Sequence, residues 1–531
     1  MRKKSGCWLV VTVVALAMLV SWIGVANGET LRVTFRAWDY DTLDPHVTNF
    51  TQVWWMLNIW TDTLVRQADD GSFHPGLAKS WEALDEGRVW IFHLRDGVTF
   101  HDGTPWNAAA MIANIDRVLD PETKSKQFAD VFNDLVSYEA LDDMTVKLTF
   151  SKPKATLLQM LSASVCAWLS PTAFSNPANT ETHQKLVGTG PWILTKEIRG
   201  QRIEFRANPN YAWGPDFAEH QGPPYIENLI ITFAIEDETR LTALLAGETD
   251  FIVEVPTTQV EMLESHPDFY VIIKSRPGAA QQHHFNTLLP PTNELAVRQA
   301  CIYATNQVAI VESLFQGIHP PAYGLLMPAS PYYNPSVEKM YPYDPDKARQ
   351  ILTDAGWIDT DGDGIREKNG QELVINFVSF PGYLAEAPAE MVQGYLAEVG
   401  IKFNITVTTG SEMMTSCAAC PGEWNSCVVG SSGVDTIDRL YRFAHSDMIG
   451  TSNYNKFGDP EMDRLIDICR TTTDETERAE AAELVQVLWN AHALSNPLFA
   501  IANVFGVSKR VQGIRVEIGG APIFYDARIV E

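Results

Sequence analysis

The chain has 531 residues with 40 basic and 66 acidic side chains, a formal net charge of −26, and 45% hydrophobic and 20% charged residues. That composition excludes a disordered or fibrous chain, and the length favours two or three domains over one core. Acidity on this scale repels phosphate backbones and anionic membrane surfaces, so nucleic acid is set aside as a partner.

Residues 1–28 read as a secretory signal peptide. Arg2, Lys3 and Lys4 form a positive start, an apolar run extends from Trp8 to Val25, and Ala26-Asn27-Gly28 offers small residues at the −3 and −1 positions. An uncleaved anchor is the alternative, since the run is near the lower length limit for a span. Cys7 comes too early for a lipoprotein anchor. Cleavage leaves residues 29–531 as an exported protein of the periplasm or extracellular space. Export places Cys166, Cys301, Cys417, Cys420, Cys427 and Cys469 in an oxidising compartment, with their pairing open.

Along the exported chain, Trp54-Trp55 falls at the first long helix, where neighbouring side chains diverge by about 100°, so one ring is expected in the core and the other is free for a ligand. Arg95-Asp96-Gly97 and His101-Asp102-Gly103 read as tight turns. Leu229, Ile231 and Phe233 alternate as a strand; a helix with Leu241, Leu244 and Leu245 follows, then Phe251-Ile252-Val253 as a second strand. His283-His284 lie side by side on a strand and point to opposite faces, a poor arrangement for joint ligation. Residues 320–345 hold seven prolines and five tyrosines, which predicts an extended strap. Asp344 and Pro345 open a helix that Gly356 closes.

Asp359, Asp361, Asp363 and Glu367, with Gly362 at the sixth position, start like a calcium loop, but Gly370 stands where the bidentate glutamate belongs. A structural turn and a turn braced by calcium both remain open, with Glu372 or water completing the shell. From Glu372 to Thr408, an apolar β-rich run, a helix bearing Met391, Val392, Tyr395, Leu396 and Val399, and an alternating Ile401-Phe403-Ile405-Val407 segment spell a βαβ unit. The fold class is therefore α/β with mixed sheets. Cys417-Ala-Ala-Cys420 with Cys427 reads as a local disulfide pinning a loop, against a redox motif or half a zinc site. Cys469 shares a helical stripe with Met462, Leu465 and Ile466, as a core thiol.

Catalytic signatures are missing: there is no Gly-x-Ser-x-Gly elbow, His-Glu-x-x-His or P-loop. Among 66 acids, chance pairs are guaranteed, so a secreted Asp/Glu hydrolase stands only as the alternative from another class.

An ordered set of segments carries a family likeness. Ala78-Lys79-Ser80-Trp81-Glu82 precedes Phe92-His93-Leu94-Arg95-Asp96-Gly97-Val98-Thr99-Phe100 and His101-Asp102-Gly103-Thr104-Pro105. Gly188-Thr189-Gly190-Pro191-Trp192, Arg206-Ala207-Asn208-Pro209-Asn210-Tyr211 and the run Arg240–Asp250 follow. Phe285-Asn286-Thr287, Val297-Arg298-Gln299-Ala300 and Tyr343–Arg349 with Ala355-Gly356-Trp357 complete the set. The chain thus resembles the extracellular solute-binding proteins of family 5, the peptide-, nickel- and oligosaccharide-binding receptors of ABC importers. That resemblance implies a bilobal receptor that returns its solute unchanged and needs no cofactor. The first lobe would span 29–282 with an extra subdomain at about 73–186, the second 283–493, and 494–531 would return to the first. A monomer, a small solute and an importer permease with its ATPase are the implied partners.

The resemblance also points to ligand contacts. In peptide-binding members an acid follows a tryptophan and a glycine in the second lobe and anchors the peptide amino terminus. Here Ser431 takes that acid's place in the segment from Trp424, and Asp435, slightly displaced, is its substitute. Trp54 or Trp55, Asn286 and Trp424 complete the candidate set. An oligopeptide or related amino compound ranks first; an oligosaccharide stacking on the tryptophans ranks second. Nickel or haem cargo ranks lower for want of a histidine or methionine cluster.

Overall fold

A computed structural model describes residues 29–36, 42–48, 51–125, 127–176, 179, 185–382 and 384–530; the expected signal peptide, 1–28, lies outside the described residues. Among the described residues no helix is long and apolar enough to cross a membrane.

Three sheets organise the chain. The largest has seven strands in the order 269–275, 502–508, 251–253, 30–35, 228–233, 202–207 and 192–198. Strands Asn228–Phe233 and Phe251–Val253 are the pair read from sequence, with helix Asp237–Leu245 between them. They are not neighbours: strand Thr30–Phe35 lies between and runs parallel to both. Its Leu31, Val33 and Phe35 are fully buried, so an N-terminal strand is the centre of this core.

The second sheet has five strands, ordered 402–407, 374–379, 426–432, 278–285 and 495–499. Here the predicted βαβ unit is present: Val374–Ser379 pairs in parallel with Lys402–Val407, joined by helix Glu386–Ala397. Helix Pro345–Asp354 starts at the Asp344 cap, whose carboxylate accepts from Lys347 N at 2.9 Å, and stops before Gly356 at φ +87°. The proline-rich strap lies across helix Glu475–Ala491: Gln486 donates to Tyr332 O at 2.7 Å, Asn490 to Tyr323 O at 2.8 Å, and Tyr341 to Asn490 O at 2.9 Å. A third, antiparallel sheet of four strands, ordered 78–84, 89–94, 145–150 and 135–142, forms a subdomain beside the seven-stranded sheet. Gly97 and Gly103 take positive φ in the two predicted turns.

The chain passes between the seven- and five-stranded sheets twice. Strand Phe269–Ser275 gives way to Gly278–Phe285, and Ser495–Phe499 to Ala502–Ser508. The strands are antiparallel partners on both sides, Ser275 opposite Ala502 and Gln281 opposite Phe499. Between them Arg276 N–H donates to Ile501 O at 2.9 Å.

The subdomain is stapled to the large sheet by one buried carboxylate. Asp62 follows helix Thr51–Trp60 and is 2% exposed. It accepts from Thr189 Oγ1 at 2.9 Å, Trp213 Nε1 at 2.9 Å, Tyr211 OH at 3.2 Å and the Arg66 guanidinium. Gly190 lets the chain carrying Thr189 approach, since a Cβ there would lie 2.4 Å from the Trp60 carbonyl carbon. Asp62→Asn should keep the shape but strand Arg66 and exchange acceptors for a donor, at a cost of about 3 kcal/mol. Urea unfolding measures it; a loss within experimental error would show that the four donors find other partners.

Candidate functional site

The space between the two large sheets is bounded by contacts at its hinge, its middle and its rim. At the hinge, the Arg276 side chain reaches both lobes: Nε donates to Asn503 Oδ1 at 2.5 Å and a terminal nitrogen donates to Ser432 Oγ at 3.4 Å. Its guanidinium also sits 5.5 Å from the centre of the Trp55 ring. Gly278, at φ +126°, allows the approach of the second lobe's strand, because a Cβ there would lie 2.2 Å from Ser431 O. In the middle, Gly519 faces Val434. At the rim, Arg442 lies 4.0 Å from Asp130 of the subdomain, and a Cβ on Gly87 would lie 3.3 Å from Thr473. Contacts at both ends describe a closed arrangement.

On the second lobe's side, strand Ser426–Ser432 ends in Gly433-Val434-Asp435, and Asp435 caps helix Thr436–Ala444 by accepting from Asp438 N at 2.8 Å. Burial, with the Asp438 carboxylate behind it, pushes the Asp435 carboxyl up to about 6; Arg439 and Arg442 act the other way. Arg439 donates to Ser432 O at 3.3 Å and to Asp438 at 2.8 Å, and its Nε is buried without a partner. From the first lobe, Lys154 lies within the field of Asp435, and burial lowers its ammonium below the usual lysine range.

Glu517, in the C-terminal return two residues before Gly519, accepts from Asn58 Nδ2 at 3.5 Å. Burial pushes its carboxyl up to about 7, while Arg66, Asn58 and Arg515 pull it down and Asp69 adds to the rise. Asn58 stands one helical turn after Trp54, and Trp54 packs against both first-lobe cores with its Nε1 buried and unpartnered.

The sequence-derived candidates scatter. Trp55 is core, 4% exposed, edge-on to Phe505 with ring centres 6.1 Å apart. Asn286 is a structural clamp, donating to Pro421 O at 2.7 Å and Trp424 O at 3.2 Å. Asn286 and Trp424 line a small cavity with His284, Cys417, Cys427 and Tyr454, and every residue of that lining belongs to the second lobe. Ser431 pairs with Ala279 on the strand leading to Asp435, so Ser431 and Asp435 do meet the hinge region while Trp424 and Asn286 sit behind it. Arg276, Arg439 and Glu517 carried no local signal; Arg276 and Glu517 are singled out by contacts with residues far away in the chain, and Arg439 by its unpartnered Nε.

His283 packs on Phe377 and Phe403, and His284 on Phe443, Tyr454 and Trp489, which places the two rings on opposite faces of their strand. Burial lowers them to about 3 and about 4, so both are neutral core rings. The carboxylates of Asp359, Asp361, Asp363 and Glu367 converge within 4.8 Å of one another. Backbone donors already serve them: Asp359 accepts from Gly362 N at 2.7 Å and Gly364 N at 3.1 Å, and Glu367 from Thr360 N at 2.9 Å. Glu372 is engaged elsewhere, 3.1 Å from Lys402.

Residues 72–447 match the family described as bacterial extracellular solute-binding proteins, family 5 middle. The nickel-binding periplasmic protein of Escherichia coli K12 is 32% identical over 396 residues, 73% of each chain. Heme-binding protein A of Haemophilus influenzae is 29% identical, covering 86% of this chain and 84% of its own, and di/tripeptide-binding protein 1 of Pseudomonas aeruginosa 28% over 86% of each. NikA of Brucella suis in complex with Fe(III)-EDTA superposes with a TM-score of 0.82 at 26% identity, over 94% of this chain and all of that one. The matching family is one of solute-binding proteins, which places a receptor ahead of the hydrolase alternative.

The raised carboxyls have a defined pH signature. An acid whose folded value exceeds its unfolded value contributes least to stability above the folded value, and that loss is relieved as pH falls towards the ordinary carboxylate range. Buried histidines oppose this: His46, His283, His284 and His319, lowered by burial to between about 3 and about 4, withdraw stability as pH falls below the ordinary histidine value. Comparing variants separates the two. Asp435→Asn/Glu517→Gln should melt above the unsubstituted protein at pH 8, with the gap closing towards pH 5; a gap independent of pH would show that neither carboxyl is raised.

Proposed function

Because this chain belongs to the bacterial extracellular solute-binding proteins of family 5, we propose that it captures a small solute bearing amino and carboxylate groups, an oligopeptide before any other, and delivers it unchanged to the permease and ATPase of an importer. One observation carries the solute class: Asp435 and Arg439 stand a single helical turn apart at the mouth of the second lobe, an acid raised by burial beside a guanidinium with an unpartnered Nε. A carboxylate on the solute would complete Arg439, and an ammonium would favour the ionised form of Asp435. Glu517 supplies a second acid from the first lobe, near the place where Gly519 meets Val434, so a solute long enough to reach both Glu517 and Asp435 would hold the lobes together. A receptor needs that differential affinity for the closed state and no transition-state stabilisation.

In this reading the lobe limits fall at the two crossings, Arg276–Pro277 and Ala500–Ile501, a short way outside the 283 and 493 read from sequence. The turn 359–367 has an all-oxygen donor set of the kind that holds calcium, and we assign it a bracing role in the second lobe apart from the cleft. Monomeric action, export and processing after Gly28 belong to the same proposal.

The test is a thermal-shift and calorimetric screen of residues 29–531, refolded to remove carried-over solute, against di- to pentapeptides, cello- and xylo-oligosaccharides and a nickel–histidine chelate. Peptides should raise the melting temperature, and Asp435→Asn, which keeps the helix cap, should weaken binding by about 2 kcal/mol, roughly thirtyfold. A response to oligosaccharides alone would overturn the amino-solute reading in favour of the sugar one, and a response to the chelate alone would move the assignment to metal complexes.

A further inference from the structure

Six cysteines follow the expected signal peptide, and three of them are dispersed. Cys166 is buried in the core of the four-stranded sheet, Cys301 in helix Leu295–Ala304 and Cys469 in helix Pro460–Thr471. Cys469 donates its thiol to Arg478 O at 3.6 Å, and burial pushes all three thiols well up from their ordinary value. These are apolar packing groups of low reactivity.

The other three allow three pairings, and the structure separates them. Cys417 occupies the last turn of helix Gly410–Ala418 and is buried. Cys427 is the second residue of strand Ser426–Ser432, also buried, and the neighbouring Cys417 thiol together with burial holds its own thiol well above the ordinary value. Both line the small cavity of the second lobe. Cys420, beyond the helix end, is exposed, so its side chain lies away from the buried pair. A disulfide needs two sulfurs about 2 Å apart with Cβ atoms about 4 Å apart, and of the three pairings Cys417 with Cys427 is the one that sets two buried cysteines on the wall of one small cavity.

The chain between the two cysteines is held in place for such a closure. Asn286 donates to the carbonyls of Pro421 and Trp424 from one side, Lys456 donates to Cys417 O from the other, and Asn425 N donates to Asn376 O at 3.0 Å. The Lys456 ammonium is within the field of all three cysteines, and at Cys427 it opposes the rise that Cys417 and burial impose.

We propose that in the exported protein Cys417 and Cys427 are joined by a disulfide that clamps helix Gly410–Ala418 to strand Ser426–Ser432, while Cys420 remains a free surface thiol. Each of the two thiols gives up a proton, one S–S bond forms, and the two electrons pass to a disulfide oxidant of the export compartment, which leaves as two thiols. The clamped strand is the one that runs into Ser431 and Asp435, so the bond stiffens the wall on which the second lobe presents its acid. This rests on export and is independent of which solute binds.

The test uses full-length protein exported through its own leader and purified with a thiol quencher. Alkylation of the native protein should mark Cys420 alone, and denaturation without reductant should add Cys166, Cys301 and Cys469, four of the six. Cys417 and Cys427 should react only after reduction, and the unreduced digest should contain their two peptides linked. Alkylation of both without reductant, or a linkage containing Cys420, overturns the proposal. The same digest reports the mature N terminus, so failed export is recognised separately. In Cys417→Ser, Cys427 should become reactive on denaturation alone; continued protection there would also overturn the pairing.

Discussion

Two strands that cross side by side are the constraint on which this molecule's working depends. The segments around Arg276 and Ile501 run antiparallel, pair within the seven-stranded sheet on one side and the five-stranded sheet on the other, and are hydrogen-bonded at the crossing itself. A pair of strands tied in this way resists stretching and shear but bends, so the lobes are left one soft motion, opening and closing. Arg276 adds a reporter of that motion: its guanidinium touches Asn503 in the first lobe and Ser432 in the second. Opening must lengthen one of those contacts. Any solute that contacts both Glu517 and the Asp435 end of the strand adds affinity only in the closed form, which is what shifts the population.

Inside each lobe the rigid parts are built from buried polar groups with every partner supplied. Asp62 gathers four side-chain donors where the subdomain meets the large sheet. Arg298, 5% exposed, donates to the carbonyls of Thr292, Asn293, His492 and Ala493, binding helix Leu295–Ala304 to the end of helix Glu475–Ala491. Arg240, fully buried, does the same for Ala234, Ile235 and Val253. A buried charge left short of partners is costly, so each group dictates the placement of several carbonyls at once. This accounts for the segments that carry the family likeness. Thr189, Tyr211, Arg240, Asn286 and Arg298 all lie in them: the first two hold the Asp62 carboxylate and the other three fasten backbone carbonyls.

Legibility followed the same division. Elements whose cause is local were readable: the Asp344–Gly356 helix, the βαβ unit from Glu372, the two Asp-Gly turns, the proline strap and the opposed faces of the paired histidines. Parallel order within the large sheet was not, because strand Thr30–Phe35 enters between two strands about two hundred residues later in the chain, and periodicity carries no information on who pairs with whom. The cleft was less readable still. Trp55, Asn286 and Trp424 have residue types suited to ligands, yet Trp55 packs in the core, Asn286 holds backbone carbonyls and Trp424 lines the small cavity inside the second lobe. Arg276, Arg439 and Glu517 have unremarkable neighbours in sequence. The interest of Arg276 and Glu517 arises where segments far apart in the chain meet, that of Arg439 from an Nε left without a partner, and Asp435 stood out in sequence solely through the family pattern around Ser431.

That division has a thermodynamic reason. A group that staples backbone is satisfied in the resting molecule, whereas a group reserved for a solute must be left partly unsatisfied until the solute arrives. On the proposed reading, the carboxyls of Asp435 and Glu517, both raised by burial, and the unpartnered Arg439 Nε would be such groups, costing stability in the closed form until a solute arrives. Opening hydrates them and relieves the cost; a solute with complementary charge relieves it without opening. If the two acids serve the solute as proposed, the burial that raises them would bias the empty receptor towards the open form and the loaded one towards closure, so recognition and motion would be two consequences of a single desolvation.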